Sequence, residues 1–312
     1  MLVTGAGGYV GSGLVAALAQ DGWNVRAALR ERADYLDVEQ VVADLAEDAA
    51  AARGACEGAD AVVHLAGENE VIAAQRPAAA LAATVLATER IVEAAAAVGV
   101  RRFVYMSTMH VYGERIADGA VLTEDLRPEP RALYAVARLA SEHVASALSA
   151  NGMELVVLRL TNSLGAPAHP SVDRWTLVCN DLCRQGALTD RLELRSSGVQ
   201  WRDFVALDDV HAVVAAACRF DPPALPPGTY NLGSGTPMTV RALAALVQDA
   251  FERQTGRRPE LVAPEPEGPR PKPYRVSVER LEAHGIRAET PVEQAVEETV
   301  RFCIEHKEAL PR

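Results

Sequence analysis

Short, β-rich apolar runs alternate with long alanine-rich stretches over the first two-thirds of the chain. The runs are Met1–Thr4, Asn24–Leu29, Gln40–Ala43, Ala61–Leu65, Phe103–Ser107 and Leu155–Arg159, each followed by a turn or helix signal. Helices are predicted over Leu14–Gln20, Ala78–Val98 and Tyr134–Ala150, where the alanine content expresses helix propensity. Such alternation predicts an α/β, doubly wound parallel sheet flanked by helices. Beyond Ala166 the pattern turns to loops and proline punctuation, at Asp221-Pro222-Pro223, at Pro226-Pro227-Gly228 and from Pro259 to Pro273. This part reads as a smaller lobe covering the carboxyl ends of the strands, where ligands bind in open α/β folds.

The first run leads directly into Thr4-Gly5-Ala6-Gly7-Gly8-Tyr9-Val10-Gly11. Gly5, Gly8 and Gly11, spaced three apart between a strand and a helix, allow a tight turn, close approach of backbone to a pyrophosphate and close helix packing. The N-terminus of the helix that follows then faces the phosphates, and Tyr9 and Val10 of the turn are placed at the cofactor. This predicts a Rossmann-type NAD(P)-binding domain over residues 1–165, rejoined by segments near 200–235, and a substrate-binding lobe over most of 166–312. In NAD-selective folds an acid ends the second strand and binds the ribose hydroxyls. Here Leu29 stands at that position and Arg30 follows, which favours a 2′-phosphate and hence NADP over NAD, although Glu31 beside it weighs the other way. Asp44 and Leu45, after the third run, are placed by the adenine, with a helix cap as the alternative for Asp44. Only Met1 to Val3 precede Thr4 and the turn, a short first strand compatible with a start codon further upstream.

Charge narrows the partners. With 31 basic against 42 acidic side chains the net charge is -11, and no basic run with interleaved aromatics is present, so no nucleic-acid partner is expected. Local arginines and helix N-termini can still hold a small phosphate ligand. No run of 18 or more apolar residues and no basic leader appear, which predicts a cytoplasmic chain without a membrane segment. Cys56, Cys179, Cys183, Cys218 and Cys303 are odd in number and scattered, so they read as reduced, mostly buried thiols. The helical spacing of Cys179 and Cys183 could suit a metal half-site, but no neighbouring His or Cys completes it, and no metal is expected.

Counting the glycine turn, seven motifs occur in order: Thr4-Gly5-x-x-Gly8-x-x-Gly11, His64-Leu65-Ala66-Gly67, Ser107-Thr108-Met109-His110-Val111-Tyr112-Gly113, Tyr134-x-x-x-Arg138, Leu158-Arg159-Leu160-Thr161-Asn162-Ser163-Leu164-Gly165, Arg202-Asp203-Phe204 and Tyr230-Asn231-Leu232-Gly233-Ser234-Gly235. Across almost the entire chain the sequence resembles the extended short-chain dehydrogenase/reductases of the NAD-dependent epimerase/dehydratase group, which act on nucleotide sugars. The chemistry of that group asks for a phenolic acid/base, a hydroxyl sharing its proton and a cation favouring the phenolate. The resemblance assigns these to Tyr134, Thr108 and Arg138, and the spacing puts Tyr134 and Arg138 on one helix face. It also places Leu65, Ala66, Gly67 and Thr84 beside the cofactor.

Two departures from the family pattern stand out. Arg138 occupies the position of a lysine, keeping charge and donors in a different shape. Thr84 stands where the family has an asparagine that orients the tyrosine helix. Met109-His110 replaces the Asp-Glu pair of the dehydratases, which argues against dehydration and leaves His110 as a sugar contact, an acid/base or a packed loop residue. For the substrate, the resemblance implies that Asn162 contacts the sugar diphosphate and that Arg202 and Arg270 clamp its phosphates. It implies a homodimer too, through the helices around Ala78–Val98 and Tyr134–Ala150.

The expected function is hydride transfer at C4 of a nucleoside-diphosphate hexose, as a 4-epimerase or a 4-ketoreductase. Two alternatives stay open: reduction of a non-sugar ketone, and a cofactor-binding sensor or scaffold without turnover, motivated by Arg138 and Thr84.

Overall fold

The computed structural model describes residues 1–149, 152–221 and 224–311. Strands, in chain order, are β1 (Leu2–Thr4), β2 (Arg26–Leu29), β3 (Glu39–Val42), β4 (Ala61–His64), β5 (Arg102–Thr108), β6 (Val121–Leu122), β7 (Glu154–Leu160), β8 (Asn162–Leu164), β9 (Arg191–Glu193), β10 (Trp201–Ala206), β11 (Gly228–Leu232), β12 (Pro237–Thr239), β13 (Glu260–Val262) and β14 (Arg275–Val276). The α-helices are α1 (Tyr9–Gln20), α2 (Ala49–Cys56), α3 (Glu70–Gln75), α4 (Pro77–Ala97), α5 (Leu133–Leu148), α6 (Val178–Thr189), α7 (Leu207–Cys218), α8 (Val240–Thr255), α9 (Glu279–Glu282) and α10 (Val292–Glu305).

Seven strands form one parallel sheet in the order β11-β7-β5-β4-β1-β2-β3. β1, β4 and β5 are buried throughout, as expected of a sheet covered on both faces. One face packs on α1 and α7 through Leu14, Leu18, Val210 and Val214, and the other on α2, α4 and α5 through Ala52, Ile91, Val92 and Ala145. A separate apolar cluster joins α6, α8 and α10 through Leu182, Leu243, Val247 and Val300. The strand order reverses between β1 and β4, which makes their carboxyl ends the topological switch point where such sheets bind ligands.

Helix and strand bounds differ from the sequence reading where the pattern was blurred. The first helix begins at Tyr9 and not at Leu14, because Gly8 is extended (φ -80°, ψ 176°) and the chain turns helical at once. Gly11 and Gly13, poor helix formers, hid that start. Both sit where side chains would collide, Gly11 with the Gly5 carbonyl at 2.3 Å and Gly13 with the His211 ring at 2.6 Å. The third strand runs Glu39–Val42, an edge strand with Val42 exposed. α5 ends at Leu148; Ala150, Pro222 and Pro223, included in the sequence reading, lie outside the described residues. The region after Ala166, read as loop-rich, carries the long helices α6, α7, α8 and α10, and α7 and β11 return to the main sheet and its covering layer.

One polar pair crosses the switch point. Thr4 and His64 face each other in the β1/β4 register, with Thr4 Oγ1 and His64 Nδ1 2.7 Å apart. Thr88 gives its hydroxyl hydrogen to the Thr84 carbonyl, so His64 Nε2 must donate to Thr88 Oγ1 at 3.2 Å, and Nδ1 accepts from Thr4. Burial, reinforced by the Arg138 charge, pushes the His64 pKa down from 6.5 to about 3. The native imidazole stays neutral where the unfolded one takes a proton, so its stabilising contribution is lost as pH falls below 6.5. Denaturant titrations at several pH values between 6.5 and 5 should show His64→Gln with a shallower acid destabilisation than wild type, by about 1.4 kcal/mol per pH unit. Parallel curves would remove His64 as a buried neutral group.

Candidate active site

The loops leaving the two switch-point strands are packed into each other. Gly5 has φ +66°, and a Cβ there would lie 2.8 Å from the Ala66 backbone nitrogen, so the turn after β1 can rest on the Leu65–Ala66 turn only as glycine. Leu65 N donates to Thr4 O at 3.3 Å. The start of α1 has no side-chain cap and no acidic residue in its first turn. It therefore offers free backbone N–H groups and the positive end of a helix dipole, the chemistry a pyrophosphate requires. Tyr9 contributes only its backbone there. Its phenol is buried, donates to the Gly165 carbonyl at 2.7 Å, and has its pKa pushed up by burial.

α5 brings the acid/base candidates to the same edge. Tyr134, half-buried, opens the helix, and the Arg138 guanidinium lies 5.5 Å from its ring centroid, within cation–π range. Arg138 is buried and donates through Nη1 to Ala66 O (3.4 Å) and Met106 O (3.3 Å), while its Nε has no partner among the described residues. Burial alone would lower its pKa; Tyr134 and Tyr105 outweigh that and hold it above the usual arginine value. Gly67, φ +144°, leaves the room this needs, since a Cβ there would lie 3.0–3.1 Å from the guanidinium. The unpaired Nε beside the phosphate-competent turn fits a ribose hydroxyl of a dinucleotide.

Thr108 ends β5, buried, and its Oγ1 accepts from His110 N at 3.3 Å, while its hydroxyl hydrogen has no acceptor among the described residues. Thr84 takes the Glu68 N–H on Oγ1 (3.1 Å), and its carbonyl receives Ser141 of α5 at 3.5 Å. It thus joins the loop after β4 to the tyrosine helix. Met109 is buried against Tyr112, Leu122, Tyr274 and Val276, so an apolar packing residue occupies its position.

The other predicted residues fall into two groups. Asn162 donates to Asp203 O at 2.9 Å, binding β8 to β10 beside Arg202, and the Arg202 charge in turn helps burial lower the His110 pKa. Arg270 is exposed, but its loop is held to β10 by Trp201 Nε1 donating to Pro271 O at 2.9 Å. Farther out, Arg30 is three-quarters exposed and 3.5 Å from Glu68. Asp44 is exposed and caps its own turn by accepting from Ala46 N at 3.0 Å, and the Leu45 side chain enters the core under α2. Asp44 therefore closes a turn and not a helix, since the N-cap of α2 is Asp48, whose side chain accepts from Ala51 N, and Leu45 turns inward.

Several site residues escaped the sequence reading. Glu70, at the start of α3, makes a two-pronged ion pair with Arg174 (3.2 and 3.0 Å) and helps hold up the His110 pKa against burial. Tyr35 and His169 stack with ring centroids 4.6 Å apart, and the Tyr35 hydroxyl reaches Gly7 O at 3.4 Å. Together these contacts pin the segment after Gly165 beside the glycine turn. No local pattern announces pairs 104 residues apart. Asp203 is also buried; desolvation raises its carboxyl pKa to about 6 against the bonds from Ser234 N and Thr161.

Comparison with known proteins places this geometry. Residues 1–233 match the family model described as "NAD dependent epimerase/dehydratase family". GDP-6-deoxy-D-mannose reductase of Pseudomonas aeruginosa is 32% identical over 257 residues, covering 80% of this chain and 79% of the relative. Among solved structures, MoeE5 in complex with UDP-glucose and NAD superposes with a TM-score of 0.80 at 25% identity, over 98% of this chain and 99% of that one. RMD from Pseudomonas aeruginosa complexed with NADPH gives 0.78 at 25% identity, over 98% and 99%.

Because Gly67 and Arg138 share one space, Gly67→Ala should displace the guanidinium and strain the backbone. The expected result is a loss of more than about 1 kcal/mol in stability, with weaker dinucleotide binding by fluorescence titration. Wild-type stability and affinity would show that the close approach has no consequence.

Proposed function

This chain belongs to the NAD-dependent epimerase/dehydratase family, an enzyme family of the Rossmann fold, and from that premise we propose that it is an NADPH-dependent 4-ketoreductase of a nucleoside-diphosphate hexose. The observation that carries the reading is the end of β2, where apolar Leu29 precedes an Arg30 that is largely exposed and, among the described residues, is held by Glu68 alone at 3.5 Å. A surface ion pair of this kind is weak enough to yield to a 2′-phosphate. The reductase relative and the NADPH-bound neighbour support the same choice.

Gly5, Gly8, Gly11 and the N–H groups of Tyr9 and Val10 would hold the pyrophosphate, with Leu65, Ala66, Gly67 and Thr84 along the nicotinamide half. The dinucleotide supplies the hydride when bound. Tyr134 gives its phenolic proton to the oxygen on C4, Thr108 donates a hydrogen bond to the same oxygen, and Arg138 stabilises the phenolate left behind. Arg202 and Asn162 receive the sugar diphosphate, with His110 toward the sugar and Arg270 closing from its loop. Met109 leaves no acid where a dehydratase needs one. The carboxyl-terminal residues supply the substrate lobe, and α4 with α5, which expose Leu81, Leu86 and Leu133, supply the face of a homodimer.

A 4-epimerase is the second reading, favoured by Asn162 and Arg202 and by the UDP-glucose-bound neighbour. Denaturing the purified protein separates the two. A reductase releases little bound nucleotide and oxidises NADPH when given a 4-keto nucleotide sugar; stoichiometric release of NAD with no NADPH oxidation would establish the epimerase instead.

The cofactor choice has its own test. Arg30→Ala should raise the KM for NADPH by about tenfold, equivalent to about 1.4 kcal/mol, and leave that for NADH nearly unchanged. An equal effect on both dinucleotides would remove Arg30 from 2′-phosphate recognition.

A further inference from the structure

Thr108 and Tyr134 come from different elements, and a proton can pass between substrate and phenol only if β5 and α5 keep a fixed offset. Three successive β5 residues are tied to α5. Tyr105 OH donates to Arg138 O at 3.5 Å, Met106 O accepts from Arg138, and Ser107 Oγ donates to Glu142 Oε1. The first two ties go through Arg138, whose guanidinium also serves the dinucleotide site. The third is independent of it.

Glu142 lies one helical turn beyond Arg138 and two beyond Tyr134, on the same face of α5. Its carboxylate is buried and fully engaged. Besides Ser107, it takes Arg159 Nε on Oε1 at 3.1 Å and Arg159 Nη2 on Oε2 at 2.8 Å. Arg159 sits on β7 directly opposite Ser107 in the parallel register. Its remaining nitrogen, Nη1, donates to Tyr112 OH at 3.2 Å; Tyr112 OH donates to Asn231 Oδ1 at 2.6 Å; and Asn231 Nδ2 donates to the carbonyls of Leu122 and Ser277. The chain of bonds runs from the tyrosine helix, under the end of β5, to β11 and the loop after β14.

Stability does not account for such a network. A buried ion pair recovers little beyond its desolvation, and an apolar pair of similar volume commonly holds a fold as well. A two-pronged carboxylate–guanidinium contact with every polar atom satisfied does fix geometry. Resting on the catalytic reading of Thr108 and Tyr134 given above, we propose that Glu142 is a positioning residue: by holding Ser107, it sets the strand end that carries Thr108 against the helix that carries Tyr134.

Two variants test this. Ser107→Ala cuts the strand–helix tie and leaves the ion pair intact. The double variant Glu142→Leu/Arg159→Met replaces the pair with apolar volume. Tm, NADPH affinity by fluorescence, and kcat and KM with NADPH and GDP-4-keto-6-deoxymannose are measured for each. Both variants should keep Tm, NADPH affinity and KM near wild type and lose kcat by about 10- to 100-fold, as expected for a small misplacement of reacting groups. Ser107→Ala keeps the question answerable if the double variant does not fold. Wild-type kcat in Ser107→Ala, or an equal fall in Tm and kcat in both variants, overturns the positioning role and leaves the catalytic reading standing. A wild-type protein that transfers no hydride to this probe or between NAD and UDP-glucose removes the catalytic reading, and this inference with it.

Discussion

A guanidinium buried under a phenol governs the architecture of this site. Arg138 cannot lose its proton, so wherever the fold puts it the surroundings must answer a full positive charge. They do so with two backbone carbonyls, from the ends of β4 and β5, and with the face of Tyr134. Nearby, His64 is kept neutral first by its own burial and then by this charge, and the room for the guanidinium depends on the missing side chain of Gly67. A lysine in the same place would meet the carbonyls as a point charge and leave the ring face and Gly67 less constrained.

The charge is useful because of where the sheet puts it. The reversal of strand order between β1 and β4 opens a crevice whose walls are the two loops that pack through Gly5 and Ala66. An uncapped helix start lies on one side and Arg138 on the other. The groups proposed for the substrate side lie on β5, β8, β10 and the segment after Gly165, which is held by pairs such as Glu70 with Arg174. The residues proposed for phosphate binding, acid/base chemistry and substrate capture thus lie together at the end of the sheet where the strand order reverses.

Much of this was legible in the chain. Strands buried on both faces announce themselves as apolar runs, so the parallel sheet and its order of elements could be read, and glycine spacing marked the turn because Gly5 and Gly11 there each answer a specific collision. Tyr134, Arg138 and Thr108 were singled out through spacing and resemblance, and the spacing does bring Arg138 over the Tyr134 ring. What could not be read depends on long-range packing. The start of α1 was hidden by glycines whose reason, the Gly5 carbonyl and the His211 ring, lies elsewhere in the chain. The helices after Ala166 were masked by the prolines between them. Leu45 looked like a ligand contact until α2 covered it, and the Glu142–Arg159 pair joins positions that no local pattern relates.

Tyr134 is proposed to supply the proton taken up by the oxygen on the reacting carbon. The direct measurement is hydride transfer by Tyr134→Phe against wild type under saturating cofactor, with dinucleotide affinity measured alongside. The expected result is a fall of about 100-fold or more with affinity unchanged. Equal rates in the two proteins would contradict it.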